Sequence, residues 1–274
     1  STVSSCSPTS GKESPVMAND SAGRTLLVAF LVCFVCSLLV SAAAMGLRTI
    51  KERDARLITY RQVLAVAGLL DDDPEAVWNA RVEVKLVELA DGRYREDLDP
   101  WSFHPRRAAA DPKRNHSIPA ELDLAEIKTR ARQAPVYLIR DGETLTQVIL
   151  PVHGKGLWST LYGYLALAPD LTTVKGLIFH EHGETPGLGG EVDNPAWRAQ
   201  WPGKEVRDAQ GRPVIEVLKG KVEATDPLAR HRVDGLSGAT ITSRGVTNLL
   251  RYWLGEDGFG PYLRRLAEER ESHD

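Results

Sequence analysis

PVYLIRDGETLTQVILPVHGKG, residues Pro135 to Gly156, sets two apolar runs on either side of Asp141-Gly142. An Asp-Gly pair between such runs predicts two antiparallel strands joined by a tight turn, because glycine takes the positive φ that the turn demands. Downstream, LYGYLALAPD and TTVKGLIFHEH read as further strands. Upstream, ARVEVKLVELADGRYRED alternates apolar and charged residues from Val82 to Leu89 and meets another turn at Asp91-Gly92. Residues 100–120, rich in Pro, His and Arg, read as a surface loop, followed by a short helix around Leu122–Ala131. NPAWRAQWPG predicts a short helix with Asn194 as its N-cap and Pro195 in its first position. PVIEVLKGKVEA reads as another strand pair, and two helices near Ser243–Leu254 and Pro261–Glu271 close the chain. The sum is an α+β fold, an antiparallel sheet with flanking helices.

Composition excludes several classes. A formal net charge of -3 gives no reason to expect nucleic acid, which needs a basic face. The three cysteines are Cys6, Cys33 and Cys36, so everything after residue 36 is without disulfide, thiolate metal site or cysteine nucleophile.

Ahead of the folded part, Thr25 to Leu47 is 23 residues without a charge. As a helix it would run about 35 Å, enough for a hydrocarbon layer of about 30 Å. The run Ser41–Ala44 resembles a signal-peptide cleavage site, but the stretch exceeds the usual signal core, which favours a retained anchor. The chain divides into a tail at 1–24, a transmembrane helix at 25–47, a membrane-proximal helical segment at 48–77 and a domain at 78–274. Met17 reads as a natural start, with 1–16 as a leader or expression remnant. Lys12 and Arg24 precede the span, whereas Arg48, Lys51, Arg53, Arg56 and Arg61 follow it. That bias predicts a cytoplasmic domain. Cys33 and Cys36, three apart, share a helix face. They read first as small apolar residues of a membrane helix and second, Cys36 above all, as an iron–sulfur contact.

Three stretches carry chemistry. HEHGETPGLGGE, His180 to Glu191, puts His180 and His182 at a strand end, but its spacing is not H-E-x-x-H, and no metal site is expected. Its glycine loop reads as a ligand rim or as a tight surface turn. GKGLWSTLYGYLAL offers Lys155, Trp158 and Ser159 to the face and edge of a planar ring; the alternative is that Trp158, Tyr162 and Tyr164 fill a core. VDGLSGATITSRG, Val233 to Gly245, places bare backbone before a run in which Val246, Leu249, Leu250 and Trp253 recur at helical spacing. Free N–H groups at a helix start bind phosphate, with Arg230, Arg232 and Arg244 near in sequence to offset its charge; plain capping by Ser and Thr is the alternative.

Taken with CSLLVSAAAMGLR in the anchor, GKGLWSTLYGYLAL, HGETPGLGGE and DGLSGAT in this order resemble the C subunits of the Na⁺-translocating NADH:quinone oxidoreductases, and more distantly the G subunits of the Rnf electron-transport complexes. The resemblance implies FMN bound through a phosphoester to Thr240, installed by a flavin transferase that uses FAD and Mg²⁺ and reads Asp234, Gly235 and Ser237-Gly238-Ala239-Thr240. It implies that Glu184, Thr185, Leu188 and Gly189 line the flavin, with Trp158 and Ser159 on its other side. It further implies a single-pass member of a six-subunit bacterial inner-membrane complex that passes electrons from NADH to ubiquinone and pumps Na⁺. Its partners there are iron–sulfur membrane subunits, a second covalent-FMN subunit and lipid. No residue of this chain is expected to be catalytic on its own. The periplasmic domain that the resemblance implies opposes the charge count. Two alternatives are an Rnf-type electron-transport protein and a membrane-anchored scaffold or binding module without flavin.

Overall fold

The computed structural model describes residues 22–46 and 48–272. The chain divides into two compact units between Ala55 and Arg56. In the first, helix α1 (Ala22–Gly46) is apolar and long enough to cross a bilayer, by length and composition. Cys33 and Cys36 are free and exposed along it. The expectation for 1–16 lies outside the described residues.

Helix α2 (Arg48–Ala67) runs across the division. The second unit continues with α3 (Pro74–Arg81), started by Asp73, whose carboxylate accepts from the Ala76 amide. Strand β1 (Val82–Glu88), helix α4 (Pro105–Ala110) and strands β2 (Asn115–Ser117) and β3 (Thr129–Ala131) come next. Strands β4 (Gln133–Asp141) and β5 (Thr144–Lys155) form the expected hairpin, with Gly142 at φ +57°. Strands β6 (Thr160–Leu167) and β7 (Val174–Glu181) complete a five-stranded antiparallel sheet in the order β1-β4-β5-β6-β7.

Alternate residues of a strand face opposite sides, and here both sides are covered. Val148, Leu150 and Val152 meet one core with Val246, Leu249, Leu250 and Trp253, whereas Tyr137, Ile139 and Ile149 meet another with Val63, Leu64 and Trp78. Double coverage explains why β4 reads as a nearly unbroken apolar run rather than an alternation. The first core is capped by α6 (Thr240–Leu254) and α7 (Gly260–Glu271), the second by α2 and α3. The excursion between β7 and α6 carries α5 (Pro195–Arg198), with Asn194 capping as expected, and the fully buried Trp201.

Both rims of the sheet are partly closed by the chain itself. At β7, Val174 donates to the Lys204 carbonyl at 2.7 Å and accepts from Gly203 at 2.9 Å. At β1, Glu88 donates to Arg93 and Arg95 to Leu86, each at 2.8 Å.

Three local expectations are corrected. No helix forms around Leu122–Ala131: the Asp123 carboxylate accepts from the amides of Ile127 and Lys128, and Glu126 and Lys128 take φ of 53° and 63°. This is a side-chain-stabilised turn, in which Asp competes with the helix ladder for backbone donors. The 100–120 stretch is not all loop, since α4 and β2 lie in it. The expected strand pair of 213–224 reduces to β8 (Glu216–Val217), which pairs in parallel with β9 (Arg232–Val233).

Under α4, a cavity of about 290 Å³ is lined by Arg106, His153, Tyr162, Tyr164 and His180. Arg106 lies over the Tyr162 ring at 3.7 Å and holds Glu181 through two hydrogen bonds. His153 sits between Tyr162 and Trp253, with ring centroids at 5.3 and 4.8 Å. Burial, helped by the charge of Arg106, pushes its imidazole down to about 4. The folded state therefore refuses a proton that the unfolded chain accepts near pH 6.5. Stability is fully present above that pH and is lost as pH falls towards 4, by about 2 kcal/mol between pH 7 and 5. Denaturant titrations at the two pH values should show His153→Phe losing much of that dependence; equal slopes in both proteins would contradict it.

Candidate functional site

At one end of the sheet, three segments remote in sequence meet: the turn joining β5 to β6 (residues 156–159), the loop after β7 (residues 182–190) and the first turn of α6. Glycines let them close. A Cβ at Gly245 would overlap the carbonyl oxygen of Lys155, so α6 rests directly on the end of β5. At Gly156 a Cβ would lie 2.7 Å from Glu184 Oε1, and at Gly189 it would lie 2.6 Å from Thr242 Oγ1. Substitution at Gly245 would push the two backbones apart, and at Gly156 or Gly189 it would displace the side chains of Glu184 or Thr242.

Glu184 is the centre of the meeting. Its side chain is buried, and both oxygens accept hydrogen bonds. Oε1 takes the amides of Trp158 (2.9 Å) and Ser159 (3.1 Å) and the Ser159 hydroxyl (3.3 Å). Oε2 takes the Leu157 amide (3.1 Å) and the Thr242 hydroxyl (2.7 Å). Burial alone would raise its pKa, but the Thr242 hydroxyl and the three amides prevail and hold it below the usual carboxylate value. Ser159 Oγ also accepts from the Gly183 amide at 2.7 Å, locking the loop after β7 to the start of β6.

Thr240 is the first residue of α6 and is half-buried. Its N-cap is Ala239, which offers no side-chain hydrogen bond, so capping by Ser or Thr does not explain the segment. The amides of the first turn have no partner within the helix and present a positive dipole end. Ser237 and Gly238 are exposed, and Gly238 adopts φ +69° against Leu188 Cδ2. Around this opening four apolar side chains stand in solvent: Leu157, Trp158, Leu188 and Ile241, with Trp158 67% exposed. Trp158 therefore does not fill a core, although Tyr164 on β6 does. Thr185 and Gly187 are exposed on the same loop, with Gly187 at φ +75°.

A hydroxyl at a helix start, small neighbours, free amides and an apolar rim suit a phosphate ester carrying a flat ring. The arginine expectation is partly corrected. Arg232 is held by Asp226 (2.8 Å) and Glu216 (3.3 Å), and Arg230 by Glu205 (3.5 Å); both line a separate cavity of about 890 Å³. Arg244 is exposed on α6. Asp234 is bound within its own loop, accepting from the Val222 amide at 2.7 Å through its carboxylate and from Trp197 Nε1 at 2.8 Å through its carbonyl. His180 tilts against Tyr164, and His182 bonds Asp193 at 2.8 Å. Among the described residues, no group of three or more His, Cys, Asp or Glu is placed to hold a metal.

Residues 156–255 match the model of the FMN-binding domain family, a span that includes the 156–159 turn, Glu184 and the first turn of α6. The C subunit of the Na⁺-translocating NADH-quinone reductase from Pseudomonas aeruginosa is 48% identical over 258 residues, covering 92% of this chain and 99% of its own. The chain belongs to the C-subunit family of Na⁺-translocating NADH-quinone reductases. The Yersinia pestis member is 44% identical, over 91% of this chain and 95% of its own. Among solved structures, NqrC from Shewanella oneidensis superposes with a TM-score of 0.72 at 36% identity, covering 80% of this chain and 99% of that one. The member from Parabacteroides distasonis gives a TM-score of 0.61 at 28% identity, covering 79% and 96%. The α+β fold of one apolar N-terminal helix and an antiparallel-sheet domain is thus that of this family.

Sequence reasoning nominated Glu184, Ser159 and Thr240 but passed over Thr242, Gly156, Gly245, Leu157 and Ile241. The signal available for Thr242 was a second threonine two residues beyond Thr240, which falls on the inner face of a helix that begins there.

Proposed function

We propose that the chain is the electron-carrying C subunit of a membrane NADH:ubiquinone reductase that pumps Na⁺, with FMN joined to Thr240 by a phosphoester. The observation that carries this is the placing of the Thr240 hydroxyl at the start of α6, beside a glycine at φ +69° and inside the FMN-binding-domain match. Ser237, Gly238 and Ala239 leave room for the phosphate, and the first-turn amides of α6 offset its charge. Trp158 and Leu188 offer apolar faces to the ring, while Ser159, Thr185 and Gly189 belong to the loops behind them. Bound FMN supplies reversible electron uptake and release. The protein's part is to fix where the ring sits and to leave it open to neighbours.

Among the described residues, the cavities of about 570, 890 and 290 Å³ do not include Thr240 in their lining, and Ser237, Gly238, Trp158 and Leu188 form an open face. A covalent tether suits such a face, because one bond replaces the enclosure that a freely dissociating ligand requires. A threonine hydroxyl is a weak nucleophile until activated, so installation falls to a separate flavin transferase using FAD and Mg²⁺. Held at Thr240, FMN would supply an electron relay between the iron–sulfur membrane subunits and the second covalent-FMN subunit. Residues 25–47 anchor the chain in the bacterial inner membrane, with the domain in the periplasm, where the transferase acts. On this reading a partner subunit or the export route overrides the positive charges that follow the span.

The intact mass of chain purified from cells with an active flavin transferase tests the attachment; the expected gain is one FMN less one water. A bare mass from such cells would refute it. A reporter fused to the C-terminus and active only in the cytoplasm should stay silent; a signal from it would overturn the periplasmic assignment.

A further inference from the structure

Glu184 makes more bonds than lining a ring requires, and all of them are to groups of the protein itself. Its two oxygens collect five donors from Leu157, Trp158, Ser159 and Thr242. Little of the side chain faces solvent, 5% by residue, so it has no surface left for a ligand. Gly156 and Gly189 close over it so tightly that a Cβ on either would strike its carboxylate oxygens. Thr242, fully buried, lies two residues beyond Thr240 in the first turn of α6. From these contacts we propose that Glu184 is a positioning residue rather than a flavin contact: through Thr242 it ties the turn at 156–159 and the loop at 182–190 to the start of α6, and so sets where Thr240 is presented.

The proposal rests on the reading of Thr240 as the attachment residue. Its chemical logic is one of donors and acceptors. All five groups that face the carboxylate are used as donors, and an ionised carboxylate is acceptor-only, with about four lone-pair sites. Glutamine would turn an NH₂ group onto part of that set and leave buried donors unmatched, which costs far more than an absent surface bond. A carboxylate near a helix start is also favoured by the dipole. Thr242 is the link to test most cleanly. Valine has nearly its shape but lacks the hydroxyl, whereas serine keeps the hydroxyl and lacks the methyl.

The test uses the full-length chain in membranes, made with an active flavin transferase, and follows both the initial rate of FMN attachment to Thr240 and amide hydrogen exchange. For Glu184→Gln we expect the Leu157–Ser159 amides to exchange at least tenfold faster. The amides of Val136–Ile139 should stay within twofold, and FMN attachment should fall at least tenfold. For Thr242→Val we expect attachment to slow severalfold with residues 157–159 still protected, and for Thr242→Ser we expect near wild-type attachment. If Glu184→Gln fails to fold, the two Thr242 variants decide alone. Normal attachment in Thr242→Val, or equal loss in Thr242→Val and Thr242→Ser, would overturn the tie. A wild-type chain with no FMN on Thr240 would overturn the attachment reading itself. Faster exchange at 157–159 with undiminished attachment would overturn only the positioning role.

Discussion

Thr240→Ala should yield a folded, membrane-bound chain that carries no covalent flavin. The hydroxyl is the atom the phosphoester needs, and no neighbouring residue replaces it from the same position: Ser237 lies outside the helix, and the hydroxyls of Thr242 and Ser243 are buried and engaged with Glu184 and the Leu236 amide. Alanine suits the first turn of a helix, where its propensity exceeds that of threonine, so stability should change by no more than about 0.5 kcal/mol. The check is a denaturing gel viewed for flavin fluorescence beside a thermal melt. A bright band at wild-type intensity from the variant would place the attachment elsewhere, and a collapsed melt would mean that the residue serves the fold.

The second large effect is expected at Gly245. The helix α6 crosses the end of β5 where a Cβ on residue 245 would overlap the Lys155 carbonyl and approach Gly156 Cα to 3.3 Å. Those are backbone atoms, which cannot swing aside as a side-chain tip can. Gly245→Val should therefore cost about 1–3 kcal/mol of stability, which lowers the melting temperature by roughly 2–12 °C in a domain of this size. Because the displaced helix is the one that begins at Thr240, FMN attachment should fall as well. A variant with an unchanged melting temperature would show that the contact is relieved more easily than the geometry implies.

What the sequence disclosed and what it hid follow a physical division. The hairpin around Asp141-Gly142 and the helix running through Val246, Leu249, Leu250 and Trp253 were legible because turn chemistry and hydrophobic period are local properties. The start of α6 was legible to within a few residues, because bare backbone gives way there to apolar residues at helical spacing. Illegible parts depend on partners far along the chain or on one side chain overriding propensity. The 122–131 stretch has helical composition, yet Asp123 draws its amides into a turn. Arg230 and Arg232 stand near Thr240 in sequence, but acids at 205, 216 and 226 hold them. The joining of Glu184 to Thr242 spans 58 positions, and nothing in either segment alone announces it.

The rims of the sheet bear on how such a protein lives among its own kind. Open strand edges are templates on which a second chain can add. Here the backbone groups of Val174 at one rim, and of Leu86 and Glu88 at the other, are already matched by segments 203–204 and 93–95 of the same molecule. Lateral crowding in two dimensions would otherwise favour ribbon-like aggregates, and this self-shielding shortens the stretch of bare backbone on which a second copy could add.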